Sequence, residues 1–355
     1  IHGELFNRMR LNLGGTKEDH VLNAEEILLK AQKEVPLALI EKTFDAGRYN
    51  IISSTGTKPP NLQGLWSGTW TAPWTGGFTN DGNLATAISI LLPGNTPELM
   101  DAFFTYHEKL LPEYKQGAQT LYNCRGIHIP AQTTTSGWET DFGETWCLTF
   151  WTGAAGWTSN FFYDYYQYTG DKVFLKERAD PFMKEALLFY EDFITKGSDG
   201  KYMFNPSYSP ENNPGNSTSQ AVLNATMDIM IARQLVRNCI QSATVLKMDT
   251  DKVKLWKSML SNMPDYQISV EGVLKEWLSP TLTENYKHRH ASHLYALYDG
   301  VDIDFKANEK LRNAAKRAIE ERMKFRVAEG GGEMAFGLVQ LASVAAHLND
   351  SEKAY

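Results

Sequence analysis

The chain has 355 residues, a net charge of −7 and an aromatic content of 12%. The acidic balance argues against nucleic acid as a partner, and no run of about eighteen apolar residues is present to span a membrane. Three cysteines, Cys124, Cys147 and Cys239, are an odd number without metal-type spacing, so neither a disulfide framework nor redox chemistry is expected.

Residues 1–22 read as a linker-like segment, opening on Ile1-His2-Gly3 without an initiator Met or apolar leader, so the start is not taken as the biological one. Apolar spacing of three and four then predicts helices over 36–53, 83–92, 96–117, 146–169, 172–196, 219–245, 250–262, 305–327 and 333–347. Alternating strand patterns are nearly absent, which points to an all-α domain rather than a sandwich or a doubly wound sheet. The glycines at 330–332 lack a following Lys-Ser or Lys-Thr and read as a connection, not a phosphate loop. The many charges over 306–324 read as a solvated helix face.

Three stretches obey neither period and hold the chemistry: 59–74, 205–216 and 288–298. The second fixes one carboxylate, Glu211, among prolines that forbid helix. The third clusters His288, Arg289, His290 and His293, and the first runs through Trp66, Trp70 and Trp74 into Asn80-Asp81-Gly82-Asn83. Aromatic groups beside carboxylates and amides suit a sugar ring, with hydroxyls at its edge and apolar C–H faces. Three imidazoles at spacings of two and three also raise the question of zinc, but the usual metalloprotease pattern is absent and no metal or other cofactor is expected.

In the order and spacing of Pro59-Pro60-Asn61-Leu62-Gln63-Gly64-Leu65-Trp66, of Asn205-Pro206 through Ser209-Pro210-Glu211-Asn212, and of His288-Arg289-His290-Ala291-Ser292-His293-Leu294-Tyr295, the chain resembles the catalytic domain of glycoside hydrolase family 95, the inverting α-L-fucosidases and α-L-galactosidases. Weaker matches are Leu5-Phe6-Asn7-Arg8, Thr169-Gly170-Asp171, Thr226-Met227-Asp228 and Glu276-Trp277. The resemblance implies an (α/α)6 barrel over 23–355, preceded in the family by a β-sandwich to which 1–22 would be the link. The family carries a further segment near its last barrel helix, so either the sequence is a fragment or that helix is missing. The resemblance also implies an oligosaccharide or polysaccharide substrate, a periplasmic or secreted location, and Glu211 as the proton donor. Trp66, Trp74, His128, His288, Arg289 and His290 would then lie near the sugar.

Two departures bear on chemistry. The family handles water with two asparagines one residue apart, one of them polarised by an aspartate shortly after Glu-Trp. Here those positions read Asp81 and Asn83, and 278–282 contains no aspartate. Either Asp81 has become the base, with Asn83 orienting water, or Asp81 caps the helix from Asn83 and the barrel binds sugar without turnover; Glu284 is a third candidate base. Where the family lines its sugar pocket, 126–133 keeps His128 but replaces the neighbouring Asn and Asp, which predicts an altered choice of sugar. Trp138, Glu139, Asp141 and Glu144 follow in a loop able to remake that pocket.

Overall fold

The computed structural model describes residues 1–139, 143, 147–219, 221–329 and 335–355. The chain forms two compact units, Ile1–Lys109 and Leu110–Tyr355. More than half of it is helical, and the strands are two residues long.

In the first unit the main helices are α1 (Leu37–Ser54), α2 (Asn83–Ile88) and α3 (Met100–Lys109). Residues 1–22 contain two short helices, His2–Phe6 and Lys17–His20, laid on α1. Arg48 of α1, buried, donates to the carbonyls of Leu5, Phe6 and Met9 at 2.7–3.1 Å. Glu41, two turns earlier on the same face of α1, accepts from the backbone of Leu13 and Gly15 and pairs with His20, and those backbone donors lower its pKa.

The second unit contains α4 (Leu111–Tyr122), α5 (Ala154–Thr169), α6 (Asp180–Phe193), α7 (Thr226–Leu246), α8 (Thr250–Asn262), α9 (Glu309–Glu329) and α10 (Ala335–His347). Helix α7 is the hub: it packs on α5, α6 and α8, and residues on every side of its first half are buried. That explains its sequence, which is apolar around the whole circumference rather than along one stripe. Gly156 of α5 permits the close approach, since a Cβ there would sit 2.4 Å from Ile231.

The predicted helices are found with shifted ends, each for a local reason. The helix expected over 96–117 is two, because Pro112 lacks an N–H and clashes with the preceding turn, leaving Leu110 outside both. The one expected over 172–196 begins with Lys172–Phe174, passes through a π turn at Leu175–Ala179 just ahead of Pro181 and ends at Phe193, where a strand Thr195–Lys196 pairs antiparallel with Tyr202–Met203. Helix α7 starts seven residues later than 219, because Val222 is bridged to Ser207 and Asn224 is left-handed at φ 55°. The 305–327 helix is divided at Asn308. The charged face over 306–324 is not wholly solvated: Arg322 is 1% exposed, which requires a buried counter-charge. The glycines at 330–332 lie outside the described residues.

Candidate active site

The segment 205–216 runs without helix or strand, as its prolines require, and is held by groups from four other parts of the second unit. Ser207 Oγ and the Tyr208 N–H both donate to Asp228 Oδ2, at 2.6 and 3.1 Å, and Ser207 Oγ accepts from the Ala225 N–H at 3.0 Å. Asp228 sits in the first turn of α7, fully buried, and burial pushes its carboxyl up to about 7. On the other side Glu276, also buried, accepts from Ser209 Oγ at 2.7 Å, from Asn212 Nδ2 at 2.8 Å and from Arg322 Nη2 at 2.7 Å. Asn285 exchanges further bonds with Asn212 and the Asn213 carbonyl, and Arg322 Nη1 donates to the Asn285 carbonyl at 2.6 Å. Ser292 Oγ donates to the Pro210 carbonyl. Glu211 is thus flanked on both sides by residues whose positions are fixed by buried ionic or hydrogen-bonded partners.

Glu211 itself is half-buried and accepts from Arg289 Nη2. Burial raises its pKa and the Arg289 guanidinium opposes that rise. A carboxyl so placed holds its proton to higher pH than a free glutamate, which is what a general acid requires. The Arg289 carbonyl is in turn held by Arg326.

The neighbouring histidines have separate tasks. The His290 ring faces the Pro210 carbonyl, and the His290 backbone N–H donates to His288 Nδ1 at 3.0 Å. Burial lowers the imidazoles to about 2 for His288, about 3 for His290 and about 4 for His293, so all three are neutral near pH 7. His293 lies 3.9 Å from Glu276 and leads through Ser292–Leu294 into the buried turn of Tyr295–Tyr298.

The other expected residues are placed as follows. In the first unit Asp81 is buried, Asn83 is half-buried at the first position of α2, and the capping position falls to Gly82 at φ 138° rather than to Asp81. Trp66 and Trp74, also in the first unit, are 52% and 67% exposed. In the second unit His128 is buried between Tyr122 and Phe189, its Nε2 3.4 Å from the Trp151 carbonyl, and burial lowers it to about 4. Glu284 Oε2 accepts from the Glu276 N–H at 2.9 Å while its Oε1 is buried without a hydrogen bond, and burial raises its carboxyl to about 7. Trp138 is partly exposed and Glu139 half-buried; Asp141 and Glu144 lie outside the described residues.

The family model for the glycosyl hydrolase family 95 catalytic domain matches residues 1–355. The chain belongs to glycoside hydrolase family 95. Alpha-L-fucosidase 2 of Arabidopsis thaliana is 30% identical over 99% of this chain and 42% of its own length. Probable alpha-fucosidase A of Aspergillus niger is 28% identical over 79% of this chain and 36% of its own. The family 95 chain thus spans less than half the length of these relatives. A putative kojibiose phosphorylase from the human microbiome superposes with a TM-score of 0.58 at 11% identity, covering 88% of this chain and 46% of that one, a likeness of fold alone. The fold is all-α and of the (α/α)6-barrel class, and the chain is a glycoside hydrolase domain.

Within this family 95 domain, sequence reasoning singles out Glu211 as a candidate but not what holds it. Asp228 and Glu276 stood inside short family matches without a role, and Arg322 was hidden in a helix rich in surface charge. The available signal was the serines: Ser207, Ser209 and Ser292 are hydroxyls in buried loops, each requiring an acceptor. Two further asparagines, Asn216 and Asn224, are structural as well. Asn216 bonds the Thr281 carbonyl and Thr283 N–H, and Asn224 Oδ1 accepts from the Phe204 N–H.

Proposed function

We propose that this domain is the catalytic part of an inverting exo-glycosidase that removes terminal α-L-fucosyl or α-L-galactosyl residues from oligo- or polysaccharides, in the periplasm or outside the cell. The observation that carries the reading is the seating of Glu211: a single half-buried carboxyl of raised pKa, on a loop fixed by Asp228, Glu276 and Ser292. The names of the similar proteins favour α-L-fucosides as the first substrates to try.

In this reading Glu211 protonates the glycosidic oxygen as the bond breaks, while water attacks the sugar carbon from the opposite face and inverts it. Arg289 keeps the acid from being permanently neutral and stabilises the carboxylate left after proton transfer. Neutral His288 and His290 offer ring nitrogens to sugar hydroxyls without adding positive charge that would ionise Glu211. Trp66 and Trp74 offer indole faces to the sugar. His128 is buried, so its contribution passes through its neighbours. The water is assigned to Asp81, with Asn83 orienting it; this part rests on the resemblance, supported by a buried carboxylate immediately before α2.

The test compares two leaving groups. 4-Nitrophenol departs with little protonation, whereas a sugar hydroxyl needs an acid. Glu211→Gln should reduce kcat on 2′-fucosyllactose by about 10²–10⁴-fold and far less on 4-nitrophenyl α-L-fucoside. An equal loss on both would remove Glu211 from the acid role. Asp81→Asn should impair both substrates alike, and the sugar first released should be the β-anomer by NMR. Binding of L-fucose with no turnover of any aryl glycoside would leave a barrel that binds sugar only.

A further inference from the structure

The loop 62–77 of the first unit is closed at its base and displays tryptophan at its surface. The Leu62 N–H donates to the Gly77 carbonyl at 3.0 Å, and Gln63 Nε2 donates to the Pro73 carbonyl at 2.8 Å. Between these ties Leu65 is 67% exposed, Trp66 and Trp74 are largely exposed and Trp70 is fully so. Trp66 and Trp70 make no side-chain hydrogen bond and no ring contact with any described residue. Gly64, at φ +57°, lets the Trp66 ring lie over the backbone, since a Cβ there would sit 3.3 Å from that ring.

Large apolar side chains grouped in the open mark a binding surface, and the composition of the loop selects its partner. From Leu62 to Gly77 there is no charged residue; Ser67, Thr69 and Thr71 stand between the indoles and Thr75 follows the last. A lipid surface takes Trp together with Lys or Arg, and a protein partner is steered by charge at the rim; the loop offers neither. Flat indoles among neutral hydroxyls match a neutral glycan, with apolar C–H faces and hydroxyl edges.

We infer that Trp70, with Leu65, extends the sugar-facing surface assigned to Trp66 and Trp74 into an aromatic platform that holds a polysaccharide chain. This rests on the carbohydrate reading above. It concerns how a long substrate is held, not how its bond is broken.

The experiment uses the whole chain and two readouts: retardation by soluble fucosylated xyloglucan in affinity electrophoresis, and hydrolysis of 4-nitrophenyl α-L-fucoside. Trp70→Ala should weaken binding to the polymer about tenfold, or ~1.4 kcal/mol, and leave kcat/KM on the small glycoside within about twofold. Trp70→Phe should recover most of the affinity. Polymer binding unchanged in Trp70→Ala would overturn the platform, as would wild-type protein that hydrolyses the small glycoside but ignores the polymer. So would a change of oligomeric state in Trp70→Ala on size exclusion, which would assign the indole to a second copy of the chain. Trp70-dependent polymer binding without any hydrolysis would keep the platform and remove the hydrolytic reading instead.

Discussion

The loop around Glu211 and the loop around Trp70 are both irregular and both rich in aromatic and hydroxyl side chains, yet they are built by opposite means. The first is sewn to its unit by buried Asp228 and Glu276, each of which accepts from two or more donors. The second is tied at its base by the Leu62–Gly77 and Gln63–Pro73 bonds and exposes its indoles to solvent. The proton donor proposed at Glu211 needs a fixed position, and buried, paired groups supply it at the risk of heavy loss if one partner is removed. A stacking surface needs area, which tolerates change.

The largest expected effect tests the sewn loop. Glu276→Gln strips Arg322 of its buried counter-charge and should cost about 3–5 kcal/mol of stability in denaturant unfolding. Combined with Arg322→Gln the loss should be less than the sum of the two single changes. Additive losses would show that the pair does not act as a unit.

Next comes Asp228, whose folded pKa of about 7 stands above its ordinary 3.8. A carboxyl raised on folding favours the native state while protonated, so its contribution is complete below the ordinary value and is lost as pH rises toward 7. Across that window wild type should lose stability relative to Asp228→Asn by about 1.4 kcal/mol per pH unit. Parallel stability curves for the two proteins would refute the buried-acid account.

A smaller effect sharpens the role of Arg289. Since its charge lowers the Glu211 pKa against the pull of burial, Arg289→Met should move the alkaline limb of the kcat/KM profile to higher pH, whatever it does to the maximum. An unmoved limb would detach Arg289 from the acid. Smallest of all, Trp70→Ala should change unfolding stability by no more than about 0.5 kcal/mol; a larger loss would mean that the indole is buried in solution and that the contrast between the loops is false.

The sequence made the helices legible because their apolar spacing is strong: 250–262 coincides with α8 end to end. Helix ends were not legible where a tertiary partner overrides propensity, as at Val222, held by Ser207, or where Pro112 breaks a run whose pattern continues beyond it. Glu211 was legible because prolines and the family motif surround it. Its supports were not, because a buried Glu276 or Arg322 looks like any surface charge until the partner is in view. His128 shows the same limit from the other side: a motif position is readable, while its burial against Tyr122 and Phe189 is not.

Two anchors of the Glu211 loop lie far from it along the chain. Glu276 is 67 residues from Ser209, and Arg322 a further 46 from Glu276. Contacts of such separation form late, since long stretches of chain must be ordered before they are made. A polypeptide still emerging from the ribosome therefore displays Glu211 well before it has the means to seat it. The seating is completed when α9 brings Arg322 against Glu276, rather than accruing as each helix is synthesised.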